Sequence, residues 1–148
     1  MNKKGFTLVE LLAVIVIIGL LSTIAILSMS RVLEGARKDT YVANANAAIS
    51  AARNDYMINN PSKWSWTLAE VNALLEKKLT NTPFGGTYSA GYVVRATDGT
   101  YGVCLAGNNA AAGGIALTKE ESLARTSVNT TSAVTCTTPT TQPSTIGS

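Results

Sequence analysis

One carboxylate lies inside a long apolar run: from Phe6 to Met29 the sequence reads FTLVELLAVIVIIGLLSTIAILSM, and Glu10 is its only charged residue. An ionised carboxylate at bilayer depth costs about 3 kcal/mol on insertion scales unless a cation or water meets it, so the chemistry open to Glu10 is pairing with a positive group. A plainer role is also open, that of an acid in the first turns of a membrane helix, near the headgroups and favoured by the helix dipole. Sulfur is the second candidate chemistry, since Cys104 and Cys136 are the only cysteines. The chain has no histidine, which removes the commonest general acid/base, the usual metal ligand and every Ser-His or Cys-His arrangement. A metal site would need histidine or a second cysteine pair. No phosphate-cradling glycine loop occurs either. The expectation is therefore no catalytic residue, no metal and no cofactor.

The element that carries Glu10 is long enough to span a bilayer as a helix. It is longer than the apolar core of a secretory signal peptide, and no A-x-A site follows it. A simple signal anchor is the plain reading of such a run. Lys3, Lys4 and the amino terminus on one side are matched by Arg31, Arg37 and Lys38 on the other, so the positive-inside rule gives no orientation. Beyond Met29 the chain has no proline until Pro61. Apolar groups recur at Leu33, Ala36, Ala43, Ala47 and Ala51, and at Val42, Ile49, Ala52 and Tyr56, which are helical spacings. One helix from Phe6 to Asn59 would be about 80 Å long at 1.5 Å per residue. A domain of this size cannot bury it, so its first half must sit in lipid or against other copies, while the second half lays one face on the globular part.

After Pro61, Thr67 and Glu70 have capping-box spacing ahead of an apolar face of Leu68, Val71, Leu74 and Leu75, which predicts a short helix. Thr87 to Ala96 and Thr100 to Leu105 read as two strands joined by a turn at Asp98 and Gly99. Residues 108–114 read as a loop, Thr118 to Glu121 as a second capping box before a brief helix, and much of the Thr-, Ser- and Pro-rich tail from Ser127 as irregular or mobile. Trp64 and Trp66 are expected to pack on the long helix or lie at its end, and Tyr88, Tyr92 and Tyr101 to be ordinary strand residues. The fold class is α+β: a long N-terminal helix with a membrane-inserted half and an amphipathic half, packed on a small antiparallel sheet.

The string GFTLVE at residues 5–10 places a small residue before a phenylalanine and a lone glutamate four residues further on. It resembles the class III signal of the type IV filament family, which includes type IV pilins and type II secretion pseudopilins. The likeness covers the leader and the long helix, about 40 residues in its clearest stretch. It implies a pilin-like division of the chain: a prepilin leader at 1–5, an apolar assembly helix at 6–29, the amphipathic half of that helix at 30–60, and a head with a Thr/Ser-rich tail at 61–148. Gly5 corresponds to the residue before prepilin peptidase cleavage, and Phe6 to the new, N-methylated terminus. Glu10 then corresponds to the glutamate that faces the amine of Phe6, in its own or an adjacent subunit, and sets axial register. Where many members have a proline after an Ala-Ile pair, this chain has Leu27 after Ala25 and Ile26, one helix breaker fewer. Gly19 is a remaining weak point at about 1 kcal/mol relative to Ala, or a site of close helix approach.

Many pilins pin a C-terminal segment with a disulfide, and by that resemblance Cys104 and Cys136 would close a loop of about 32 residues, worth roughly 3–4 kcal/mol. Two unpaired thiols are the alternative. The implied function is a structural subunit of a surface filament, single-pass in the cell membrane before assembly and extracellular afterwards, serving adhesion, twitching motility or DNA uptake. Its partners would be other copies of the chain, prepilin peptidase, the assembly platform and its ATPase. A pseudopilin of a secretion or competence system, or a minor pilin, has nearly the same sequence features; a single-pass anchored binding module is the reading from a different class. Direct nucleic-acid binding is not expected: the charge of +3 comes from 12 basic and 9 acidic residues, and without Lys3 and Lys4 the balance is 10 to 9.

Overall fold

The computed structural model describes residues 5–147; Met1 to Lys4 of the expected leader lie outside the described residues. The chain divides into two compact units, Met1–Ala36 and Arg37–Ser148. Helix α1, Leu8–Ile58, contributes to both. It ends where Asn59 and Asn60 both donate their backbone N–H to the carbonyl of Asp55, at 2.9 Å each, one residue ahead of Pro61. These bounds match the expected helix to within two residues.

In the first unit, the large apolar side chains described between Phe6 and Leu33 are all exposed, from 49 % at Val14 to 86 % at Phe6. The polar exceptions are satisfied inside the helix: Ser22, Thr23, Ser28 and Ser30 each donate a hydroxyl to the carbonyl four residues back. A bilayer admits a spanning segment only when its backbone and hydroxyl groups find such internal partners.

The second unit is an α+β head. Five strands, β1 (Ser65–Thr67), β2 (Tyr88–Arg95), β3 (Tyr101–Gly107), β4 (Gly114–Lys119) and β5 (Val128–Asn129), form one antiparallel sheet in chain order. A short helix, α2 (Leu68–Leu74), follows β1 directly. Its capping box is the expected one: the Thr67 hydroxyl accepts from the Glu70 N–H while the Glu70 carboxylate accepts from the Thr67 N–H. At the β2–β3 turn, Asp98 accepts from the backbone and hydroxyl of Thr100, and Gly99 takes a φ of 89° that disfavours a side chain.

The central strands are buried on both faces. Val93, Val103 and Leu105 point to the C-terminal half of α1, where Tyr41, Ala45, Ala48, Ile49 and Ala52 are fully buried. Tyr92, Val94 and Cys104 point the other way, into a smaller cluster closed by Ile146 with Val134 and Cys136. Val128–Asn129, in the segment expected to be irregular, instead pair with β4 as a strand. Beyond β5 the tail is irregular, as expected, but packed. Gly102 and Gly114 make room for it, because a Cβ at Gly102 would stand 2.9 Å from Ile146 and one at Gly114 2.6 Å from Val134. The Pro143 carbonyl accepts from the Thr97 N–H, and Gln142 donates to the Arg95 carbonyl. The disulfide Cys104–Cys136, with Cα atoms 5.7 Å apart, ties this tail to β3.

Three local expectations need correction. The buried face of α1 runs through Tyr41, Ala45, Ala48, Ala52 and Asp55, whereas Ala43 and Ala47 are exposed. Thr118 does not cap a helix: it belongs to β4, its hydroxyl donates to the Ala116 carbonyl, and the turn that follows, Glu120–Ser122, starts after Lys119 without a side-chain cap. Residues 108–114 hold a one-turn helix, Ala110–Ala112, capped by Asn109 and followed at once by β4.

Trp66 is fully buried against α1, and its indole N–H donates to Asp55 at 2.8 Å. Asp55 also accepts from Asn59, and these bonds, the Trp66 one foremost, hold its carboxyl below the usual carboxylate range. A folded pKa depressed in this way contributes stability that is complete above the unfolded value, about 3.9, and is lost as pH falls through the folded one. Asp55→Asn keeps an acceptor for Trp66 but cannot titrate. Its unfolding free energy will therefore fall less steeply below about pH 4 than that of the parent chain, as read by urea titrations at stepped pH. Reduction of the Cys104–Cys136 bond should lower head stability by roughly 3–4 kcal/mol in the same assay.

Candidate processing and assembly site

Gly5, Phe6 and Thr7 precede the first helical residue in non-helical backbone. The Gly5–Phe6 peptide bond is accessible, with Phe6 86 % exposed and nothing within 4 Å of where a Gly5 side chain would stand. A small residue on one side of an uncovered, unfolded bond is what a peptidase needs in order to reach the carbonyl.

Thr7 is the residue that the sequence reading passed over. Its hydroxyl accepts from the Glu10 N–H at 3.3 Å. In return Glu10 Oε2 accepts from the Thr7 N–H at 2.9 Å and from the Thr7 hydroxyl at 2.8 Å. This is a reciprocal capping box at the head of α1, and the signal for it, Thr-x-x-Glu at residues 7–10, has the same spacing as the box at 67–70. Oε2 is engaged in the box and Oε1 is not. The arrangement holds one carboxylate oxygen in place within the first helical turn, four residues from Phe6, and among the described residues no hydrogen bond reaches the other.

The residues expected to serve processing and assembly, Gly5, Phe6 and Glu10, thus lie in one short stretch, while Cys104 and Cys136 are joined elsewhere, in the head. Among the described residues no group of three metal-ligating side chains comes together. Helix α1 is long and apolar enough to cross a membrane by length and composition.

A family model described as the prokaryotic N-terminal methylation motif matches residues 1–26. The chain carries a type IV pilin-like prepilin signal. The matched span takes in the small-residue–phenylalanine bond, the capping box and most of the apolar run. A prepilin signal of this kind implies processing by prepilin peptidase and assembly into a pilus-type system, and with the apolar helix it fits a membrane-anchored precursor. No curated protein and no solved structure matches the chain.

Losing an N-cap hydroxyl costs about 1 kcal/mol, a factor of about five in local opening. Thr7→Val should therefore raise amide exchange at Glu10 and Leu11, whose N–H groups bond to Thr7, about five-fold in detergent micelles, with Thr7→Ser close to the parent chain.

Proposed function

We propose that this protein is the structural subunit of a type IV pilus. Prepilin peptidase adds water across the Gly5–Phe6 bond, the freed amine of Phe6 is N-methylated, and the apolar part of α1 leaves the membrane to bundle with the same helix of other subunits. The single observation that carries this reading is the set of uncovered apolar side chains behind the methylation motif, interrupted by one carboxylate. Apolar surface on that scale is covered either by lipid or by identical helices.

In the bundle, Glu10 meets the amine of Phe6 on a neighbouring subunit. Methylation keeps that amine basic, so a buried carboxylate acquires a cationic partner and the desolvation cost of leaving either alone is avoided. Register follows, because only one axial offset brings the two together. Helix packing supplies the cohesion, and a separate ATPase acting through the assembly platform supplies the energy of extension. The chain itself acts as a building unit rather than an enzyme. The disulfide-closed head faces the exterior, where an oxidising environment preserves the Cys104–Cys136 bond. A glutamate in the apolar helix and a head of ordinary size favour a main subunit over a tip subunit or a secretion pseudopilin.

Two substitutions separate the steps. Gly5→Leu should leave the leader attached and the chain in the membrane, as read by intact mass. Glu10→Val should be cleaved normally yet reduce the sheared surface fraction about ten-fold or more, because an unpaired buried charge costs at least about 1.4 kcal/mol per contact. Parental filament yield from Glu10→Val would contradict the pairing.

A further inference from the structure

Four cations of the head are held in ion pairs. Arg53 pairs with Glu120, Lys63 with Glu70, Lys119 with Glu121 and Arg125 with Asp39. Lys77 and Lys78 are exposed. Arg95 differs from both groups: it is half-buried on β2, and among the described residues no carboxylate forms an ion pair with it. Asp98, in the adjacent turn, feels its charge but is engaged with Thr100.

The guanidinium of Arg95 is nevertheless held. It stacks 4.3 Å from the ring centroid of Tyr56. Its backbone is fixed on both sides, by donation to the Trp64 carbonyl at 2.7 Å and acceptance from Gln142 Nε2 at 3.0 Å. The Arg95 side chain also hydrogen-bonds to Tyr101, but among the described residues it has no carboxylate partner, and its planar guanidinium presents a fork suited to an anion.

A pocket of about 300 Å³ opens beside it, lined by Tyr56, Ser62, Lys63, Trp64, Arg95 and Gln142 among others. That is the low end for small-ligand sites, room for about one ring. The lining is mostly polar, which disfavours an apolar guest. Ser62 and the amide oxygen of Gln142 can bond hydroxyls, and Tyr56 and Trp64 contribute half-exposed aromatic surface. Gln142 belongs to the tail that Cys136 anchors, so the fold of the tail completes one wall.

We propose that this pocket binds an acidic sugar residue, with the carboxylate of a hexuronate ring on the Arg95 fork and its hydroxyls on Ser62 and Gln142. The inference concerns the head alone and does not depend on filament assembly.

The test uses the full chain in detergent micelles and saturation-transfer difference NMR with an oligomannuronate tetramer. The matching neutral mannose tetramer and inorganic phosphate serve as comparisons. Loss of a charge-assisted bidentate bond corresponds to about ten-fold or more in affinity, so the neutral tetramer and Arg95→Gln should each bind at least about ten-fold more weakly. Arg95→Lys keeps the charge, loses the fork and should bind a few-fold more weakly than the parent chain. It carries the test if Arg95→Gln does not fold, as judged by thermal melting. Absence of oligomannuronate binding would overturn the proposal, as would unchanged binding by Arg95→Gln or Arg95→Lys. Displacement by equimolar inorganic phosphate would overturn it too, by showing a bare anion site.

Discussion

The first half of α1 is an apolar surface that the described residues leave exposed. Its described apolar side chains stand in the open from Phe6 to Leu33, and a surface of that size is not left to water. The rest of the N-terminal arrangement answers to this constraint. The Ser and Thr hydroxyls turn back on helix carbonyls, so they present no unmet polarity to a greasy neighbour. Glu10, the only charged residue between Phe6 and Met29, sits in the first turn, where a capping box fixes one of its oxygens. In the proposed filament, such a helix exchanges lipid for copies of itself, and its carboxylate specifies which offset between copies is correct.

The head meets the opposite requirement, since it must hold together with little mass. Its sheet achieves this by burying both faces of the central strands, one under the second half of α1 and the other under the tail. The tail is too polar to fold on its own apolar content. Cys136 fixes it to β3, Val134 and Ile146 occupy the gaps left by Gly114 and Gly102, and the bonds from Thr97 N–H to the Pro143 carbonyl and from the Gln142 amide to the Arg95 carbonyl complete the attachment. The disulfide therefore shapes surface chemistry as well as stability, because Gln142 is brought to Arg95 by the same anchoring.

The large elements were legible in the sequence because each rests on a strong local signal. An uninterrupted run without proline defines α1, Thr67 with Glu70 defines the start of α2, and Asp98-Gly99 defines the hairpin of β2 and β3. Finer features depend on signals that the chain carries weakly. The phase of the second half of α1 is blurred by abundant alanine, which is compatible with any face, and Tyr41 decides it by packing edge-on against Tyr88 at 5.3 Å. Thr118 and Glu121 have capping spacing, but pairing of Thr118 with Val103 in the sheet takes precedence. The tail carries no periodicity, so its packing appears only once the glycine gaps and the disulfide are in place. Thr7 was readable in principle; the apolar run behind it draws attention to Glu10 and away from its cap.

Filament formation through a processed N-terminus is the claim on which the rest turns. Intact mass and N-terminal peptide mapping of material sheared from the surface of the native host test it most directly. An abundant chain that begins at a methylated Phe6 is the expected result. A chain that retains Met1 and stays in the membrane fraction would contradict it.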